Sequence, residues 1–213
     1  MDTWSDGLLV LAVLTNFLLV GSSRITSCIR QASVQGVLVG LFFMTAHFDD
    51  LSFGVVAMTG ISVVLKGVVF PWLLYRTLEE IEIKKEIEPY VGYTLSLALA
   101  VLALGTSFWL SARLPSEGHA SALALPVGFF TFFTGLFLIV SRKKALTQVL
   151  GYLVMENGVF VIGAVLAQDS PLLVEFGILL DALVAVFVMG LTIFHINRTF
   201  DSIDTDQLTN LRE

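Results

Sequence analysis

The sequence has a single cysteine, Cys28, so it can form no internal disulfide and build no cysteine-rich metal site. Charge is also scarce. Charged residues make up 14% of the 213 residues, where a soluble domain carries about 25%. Net charge is −6, and no basic patch is interleaved with aromatics, which argues against a nucleic-acid partner. The three histidines, His47, His119 and His195, show no metal-ligand spacing, and GxGxxG, P-loop and nucleophile-elbow patterns are missing.

Apolar residues fill the space that charges leave. They form 56% of the chain, and mean hydropathy is +0.86. Charges cluster in short stretches between long apolar runs, the pattern of a chain dissolved in lipid, where a spanning helix needs roughly 20 apolar residues. Seven runs are legible, at roughly 7–22, 32–48, 52–75, 91–113, 122–140, 147–167 and 171–196. The expected fold is all-α, a polytopic membrane protein of about seven transmembrane helices. The first run is read as a retained helix rather than a signal peptide, because Asp2 and Asp6 precede it and Arg24 and Arg30 follow. Pro126 near the start of the fifth run suits a first-turn position better than a kink.

Lysine and arginine give the orientation. The connections after runs one, three, five and seven hold Arg24, Arg30, Arg76, Lys84, Lys85, Arg142, Lys143, Lys144, Arg198 and Arg212, whereas the opposite connections hold only Arg113. That asymmetry places the N-terminus outside and the C-terminus in the cytoplasm. The polar connection 76–90 reads as a solvated connector or as a surface helix that docks a partner. The acidic tail 199–213 should be cytoplasmic. The chain is read as one membrane domain, with a four-helix part over 1–113, a three-helix part over 114–198 and the tail.

Four ionisable residues stand inside apolar runs: Lys66, Glu156, Glu175 and Asp181. Each costs at least about 2.5 kcal/mol near the bilayer centre, so each needs a bundle interior or a water-filled cavity. At about 1.5 Å per residue, Glu156 and Asp181 both fall near the middle of a core about 30 Å thick. Lys66 lies somewhat nearer the cytoplasmic side, with Pro71 and Trp72 between it and that surface. Glu175 is about one turn from the outer edge and can reach water. The runs that carry Glu156 and Asp181 are joined by a short turn and are expected to be antiparallel neighbours. Their carboxyls could share a proton as a relay, or form buried pairs that set helix register. Lys66 reads as a functional group or counter-ion. His47 and His195, at membrane edges, are candidates for the ends of a proton path.

The stretch SRKKALTQVLGYLVMENG, the run LVEFGILLDALVAVFVMGL, the ending IDTDQLTNL and the element LKGVVFP together resemble hydrogenase-4 component E. The resemblance is densest over 141–213. That family is in turn similar to the small NuoK-type subunit of respiratory complex I, which the last three helices resemble. NuoK-type subunits carry two intramembrane glutamates. Asp181 falls where the second is expected, and Glu156 lies about one helical turn from the first.

The resemblance implies a membrane-arm subunit of a group 4 [NiFe]-hydrogenase or formate-hydrogenlyase-like complex in a prokaryotic inner membrane. Its partners would be antiporter-like membrane subunits, a hydrogenase-facing membrane subunit and a peripheral [NiFe]-hydrogenase arm. The chain itself would hold no cofactor, and the nickel–iron centre and iron–sulfur clusters would sit in partner subunits. Two other readings stay open: a free-standing secondary ion transporter, for which no inverted repeat is legible, and a structural scaffold with inert paired charges.

Overall fold

The computed structural model describes residues 2–46, 53–80, 91–114, 121–142 and 145–166, and every element in them is helical. The seventh run, the segment 81–90 and the tail lie outside the described residues, as do Asp181, Glu175, His47 and His195.

The helices are α1 (Asp2–Gly21), α2 (Ile25–Ala46), α3 (Phe53–Val64), α4 (Phe70–Glu80), α5 (Tyr93–Ser111), α6 (Ala124–Ser141) and α7 (Ala145–Leu166). A π-helical turn, Leu65–Val69, links α3 to α4. The three pieces act as one span, so six stretches are long and apolar enough to cross a membrane: Trp4–Gly21, Ile25–Thr45, Thr59–Leu78, Tyr93–Ser111, Ala124–Ser141 and Leu146–Leu166. Helices suit such stretches because hydrocarbon offers no water to backbone N–H and C=O groups, and a helix satisfies them internally.

The first six expected runs are all present as helices, with shifted edges. The second begins earlier than 32, at Ile25, so Arg30 lies inside α2 and the α1–α2 connection shrinks to Ser22–Arg24. Helix propensity carries the chain through a charged residue as long as its side chain can reach the membrane edge. The third runs on to Glu80 because its polar end needs no apolar partner once it leaves the core. Pro126 sits in the first turn of α6, where its missing N–H costs nothing.

Packing is closest between α6 and α7. Gly128 and Gly135 on α6 face Gly158 and Gly151 on α7, each pair spaced by a heptad. A Cβ at Gly151 would stand 2.8 Å from the Gly135 carbonyl, and one at Gly158 would stand 2.8 Å from the Gly128 carbonyl. Only glycine lets the two backbones approach so closely, which is how helices associate where no hydrophobic force acts between them. By contrast α5 is peripheral, touching the bundle through Ser96, Ala100 and Ser107. Leucines such as Leu14, Leu18, Leu97 and Leu102 point outward, about half exposed or more. Lipid is the natural solvent for that surface.

Among the described residues, three apolar clusters fill the interior, a small one around Val20, Ala100 and Phe130 and two larger ones. One of the larger gathers Leu19, Ile29, Ala32, Phe70, Leu138 and Val154. The other gathers Ala12, Val39, Phe42, Val127 and Val161. Between them, on every central helix, lies a polar residue: Thr15 and Asn16 on α1, Gln35 on α2, Thr131 and Thr134 on α6, Glu156 and Asn157 on α7. The core is thus layered as apolar, polar, apolar. Gln35 and Glu156 lie about 15 Å from the ends of their helices at Ile25 and Ala145, by the rise of about 1.5 Å per residue. That depth is the middle of a hydrocarbon core about 30 Å thick.

Candidate functional site

Lys66 is the second residue of the π turn. A π turn inserts one residue into a helix and changes the direction in which the next side chains leave it. Here the Phe70 N–H donates to the Leu65 carbonyl, five residues back. Lys66 is thereby turned inward and is 7% exposed. Its stem lies against Gly36 of α2, where a Cβ would come within 2.7 Å of Lys66 Cβ. The ammonium does not snorkel to the membrane surface. It ends inside the bundle, on α7.

There Lys66 Nζ stands 2.8 Å from Glu156 Oε1, with the two side chains 6% and 2% exposed. It also lies 5.3 Å from the centroid of the Phe160 ring, a cation–π contact. Glu156 and Phe160 are four residues apart and share one face of α7, so the ammonium is held between a charge and a π cloud on successive turns. Glu156 Oε2 and Asn157 Oδ1 are buried and have no hydrogen-bond partner among the described residues. A small cleft bordered by Ser33, Lys66, Pro71, Leu74 and Asn157 offers about 10 Å³ to water centres, close to what a single water needs.

A neutral network continues the same layer. Asn16 Nδ2 donates to Thr131 Oγ1 at 2.8 Å. Gln35 Nε2 donates to Asn16 Oδ1 at 2.8 Å and to Thr15 Oγ1 at 3.2 Å. Asn16 and Gln35 are fully buried. Sequence reasoning missed these residues. Their only signal is an amide inside an otherwise apolar run, weaker than a charge because its insertion costs less.

A second buried charge was read only as an orientation marker. Arg142, just past the end of α6, is 1% exposed and its Nη2 donates to the Val20 carbonyl at 3.0 Å. Burial pulls its pKa below the ordinary value, opposed by Cys28 and Tyr93, but a guanidinium stays protonated in proteins.

Of the residues singled out in the sequence, Lys66 and Glu156 are brought together. The expected pairing of Glu156 with Asp181 cannot be placed, since Asp181 is outside the described residues, as are Glu175, His47 and His195. Among the described residues no group of three or more His, Cys, Asp or Glu could hold a metal ion.

Residues 123–213 match the family described as NADH-ubiquinone/plastoquinone oxidoreductase chain 4L. An uncharacterized protein of Mycobacterium tuberculosis is 29% identical over 204 residues, covering 94% of this chain and 92% of that protein. Hydrogenase-4 component E of Escherichia coli K12 is 40% identical over 120 residues, covering 55% of each chain. Its counterpart in Shigella flexneri matches to the same extent. The chain thus spans about half the length of the hydrogenase-4 subunits it matches. No solved structure matches it significantly. This multi-pass membrane protein, with six membrane-length helices and a charge pair at mid-depth, is thus similar over residues 123–213 to the NADH-ubiquinone/plastoquinone oxidoreductase chain 4L family.

Proposed function

We propose that the chain is a membrane-arm subunit of a respiratory complex related to complex I, of the group 4 [NiFe]-hydrogenase type, in a prokaryotic inner membrane. In this reading it links antiporter-like subunits to the hydrogenase-facing membrane subunit and supplies charged groups to the axis along which protons or ions are coupled. Nickel–iron and iron–sulfur chemistry belongs to partner subunits. The observation that carries the reading is the Lys66–Glu156 pair, a pair of opposite charges at mid-depth.

Electrostatics supply the mechanism. Beside Lys66, the Glu156 carboxylate has its counter-charge. If the third span turns Lys66 away, a bare carboxylate is left in hydrocarbon, and neutralisation by a proton removes that cost. When Lys66 returns, the proton leaves. The π turn under Lys66 is a natural place for such rotation, because π turns recur at functional sites. The unpartnered Oε2 and the water-sized cleft beside Asn157 support access of a proton carrier. Asp181 and Glu175 would extend the axis along the seventh run, and His47 and His195 would stand at its ends.

The test is ion movement by the intact complex in proteoliposomes. Glu156→Gln and Asp181→Ala should leave the complex assembled and hydrogenase turnover measurable while coupled ion movement falls by about tenfold or more, the scale of losing one essential proton-transfer group. Unchanged ion movement in both variants would remove the case. Ion exchange by the chain reconstituted alone would favour a free-standing transporter, and loss of assembly in both variants a scaffold.

A further inference from the structure

We propose that the junction of Arg142, Tyr93 and the N-terminus of α5 binds the phosphodiester headgroup of an anionic membrane phospholipid. This inference does not rest on the hydrogenase reading.

Arg142 has more donors than the fold uses. Its Nη2 bond to Val20 caps the last turn of α1, where a cation suits the free carbonyls. That explains why the residue is there. Nε and Nη1, however, make no hydrogen bond among the described residues, although the side chain is 1% exposed. A buried guanidinium with unused donors points to a partner with several acceptor oxygens, and its planar fork matches phosphate.

The second half of the site is α5. Arg142 Cζ lies 5.8 Å from the ring of Tyr93, the first residue of that helix. Gly92 is its N-cap and, having no side chain, offers no cap hydrogen bond. The first-turn N–H groups have no acceptor within the helix, and a helix N-terminus favours an anion. A guanidinium and a helix start therefore meet at one aromatic ring, and Tyr93 is 38% exposed there.

Depth and surroundings select a lipid over a free anion. Tyr93 begins the span Tyr93–Ser111, and Arg142 follows the last residue of Ala124–Ser141, so both stand at the membrane boundary. Headgroups lie at that level, and tyrosines concentrate there. From Tyr93 an apolar stripe of Leu95, Leu99 and Leu102 runs down α5 with helical spacing, each residue outward-facing. An acyl chain attached to the bound phosphate would lie along it.

The experiment uses the full chain in its purified complex, in mild detergent, mixed with phosphatidylglycerol and then washed, with retained phospholipid counted by native mass spectrometry. The wild type should retain phosphatidylglycerol. Arg142→Gln should weaken retention by about tenfold, as expected for losing a charge-assisted contact. That variant also removes the α1 cap, so a second one is needed. Gly92→Asp places a favourable cap at α5, meets no neighbouring atom and sets a carboxylate where the phosphate would sit. It should lose the lipid while keeping the wild-type unfolding temperature or raising it. Equal retention by wild type and Gly92→Asp would overturn the proposal. So would equal retention of uncharged diacylglycerol, displacement by millimolar inorganic phosphate, which would indicate a free-anion site, or no retention by the wild type, which would indicate that a carboxylate of the protein fills the place.

Discussion

Lys66 and Glu156 form an ion pair in the middle of the bundle, 2.8 Å apart, between the π turn of the third span and the centre of α7. The pair is costly to bury and costlier to break, since removing one partner strands the other in a low-dielectric interior.

The first prediction separates energy from function. Glu156→Leu alone should destabilise the protein by about 3–5 kcal/mol, because Lys66 loses its counter-charge. The double variant Lys66→Met with Glu156→Leu should recover most of that loss, since an apolar pair of similar volume is often neutral or better. Coupled ion movement should stay absent in the double variant. Denaturant unfolding in detergent and proteoliposome assays would check the two halves. Recovery of ion movement along with stability would show that the charges are only structural.

The glycine seam gives a second prediction. Gly151→Leu forces a side chain against the Gly135 carbonyl and Ile139. The expected outcome is separation of α6 from α7 and loss of folded protein on size exclusion. Gly151→Ala should be milder, costing about 1–3 kcal/mol as overpacking does. The same change at Gly60 or Gly105, where an added Cβ meets nothing within 4 Å, should be tolerated.

Gln35 makes two of the buried hydrogen bonds of the neutral network. Gln35→Leu should cost about 0.6–2 kcal/mol, the range for side-chain hydrogen bonds within a membrane. Asn16→Leu removes two bonds of the same network, so the two effects should fall short of additivity in a double-mutant cycle. Strict additivity would contradict the network.

Orientation can be read with the single cysteine. Cys28 is 4% exposed and should resist a membrane-impermeant maleimide until the protein is unfolded. On a Cys28→Ala background, Ser23→Cys should be labelled only from the cytoplasmic side and Arg113→Cys only from the outside. Labelling with the opposite sidedness would reverse the topology drawn from lysine and arginine.

The six described spans were legible in advance because a spanning helix is a local object. Its backbone bonds close within the run itself, so composition over about 20 residues suffices. Lys66 and Glu156 stood out for a related reason: a charge in an apolar run is conspicuous wherever it points. The edges were less legible. The sequence placed Arg30 in a connection, yet it lies in α2, because a long basic side chain can leave the membrane while its backbone stays helical. The Asn16–Gln35–Thr131 network and the burial of Arg142 left little trace, since an amide or an end-of-helix arginine is unremarkable until neighbours close over it.

Chain order alone, then, settles the helical character of the described residues, their six spans and the presence of charged side chains at mid-depth. Those properties depend on residues near each other along the backbone and on the absence of water in hydrocarbon. Which charge meets which depends on how each helix is rotated against the others. That rotation is set by Gly36, by the α6–α7 glycine seam and by the extra residue of the π turn, and no single helix records it. Packing directs Lys66 inward to Glu156, gathers the amides into one layer and leaves Arg142 with unused donors beside Tyr93.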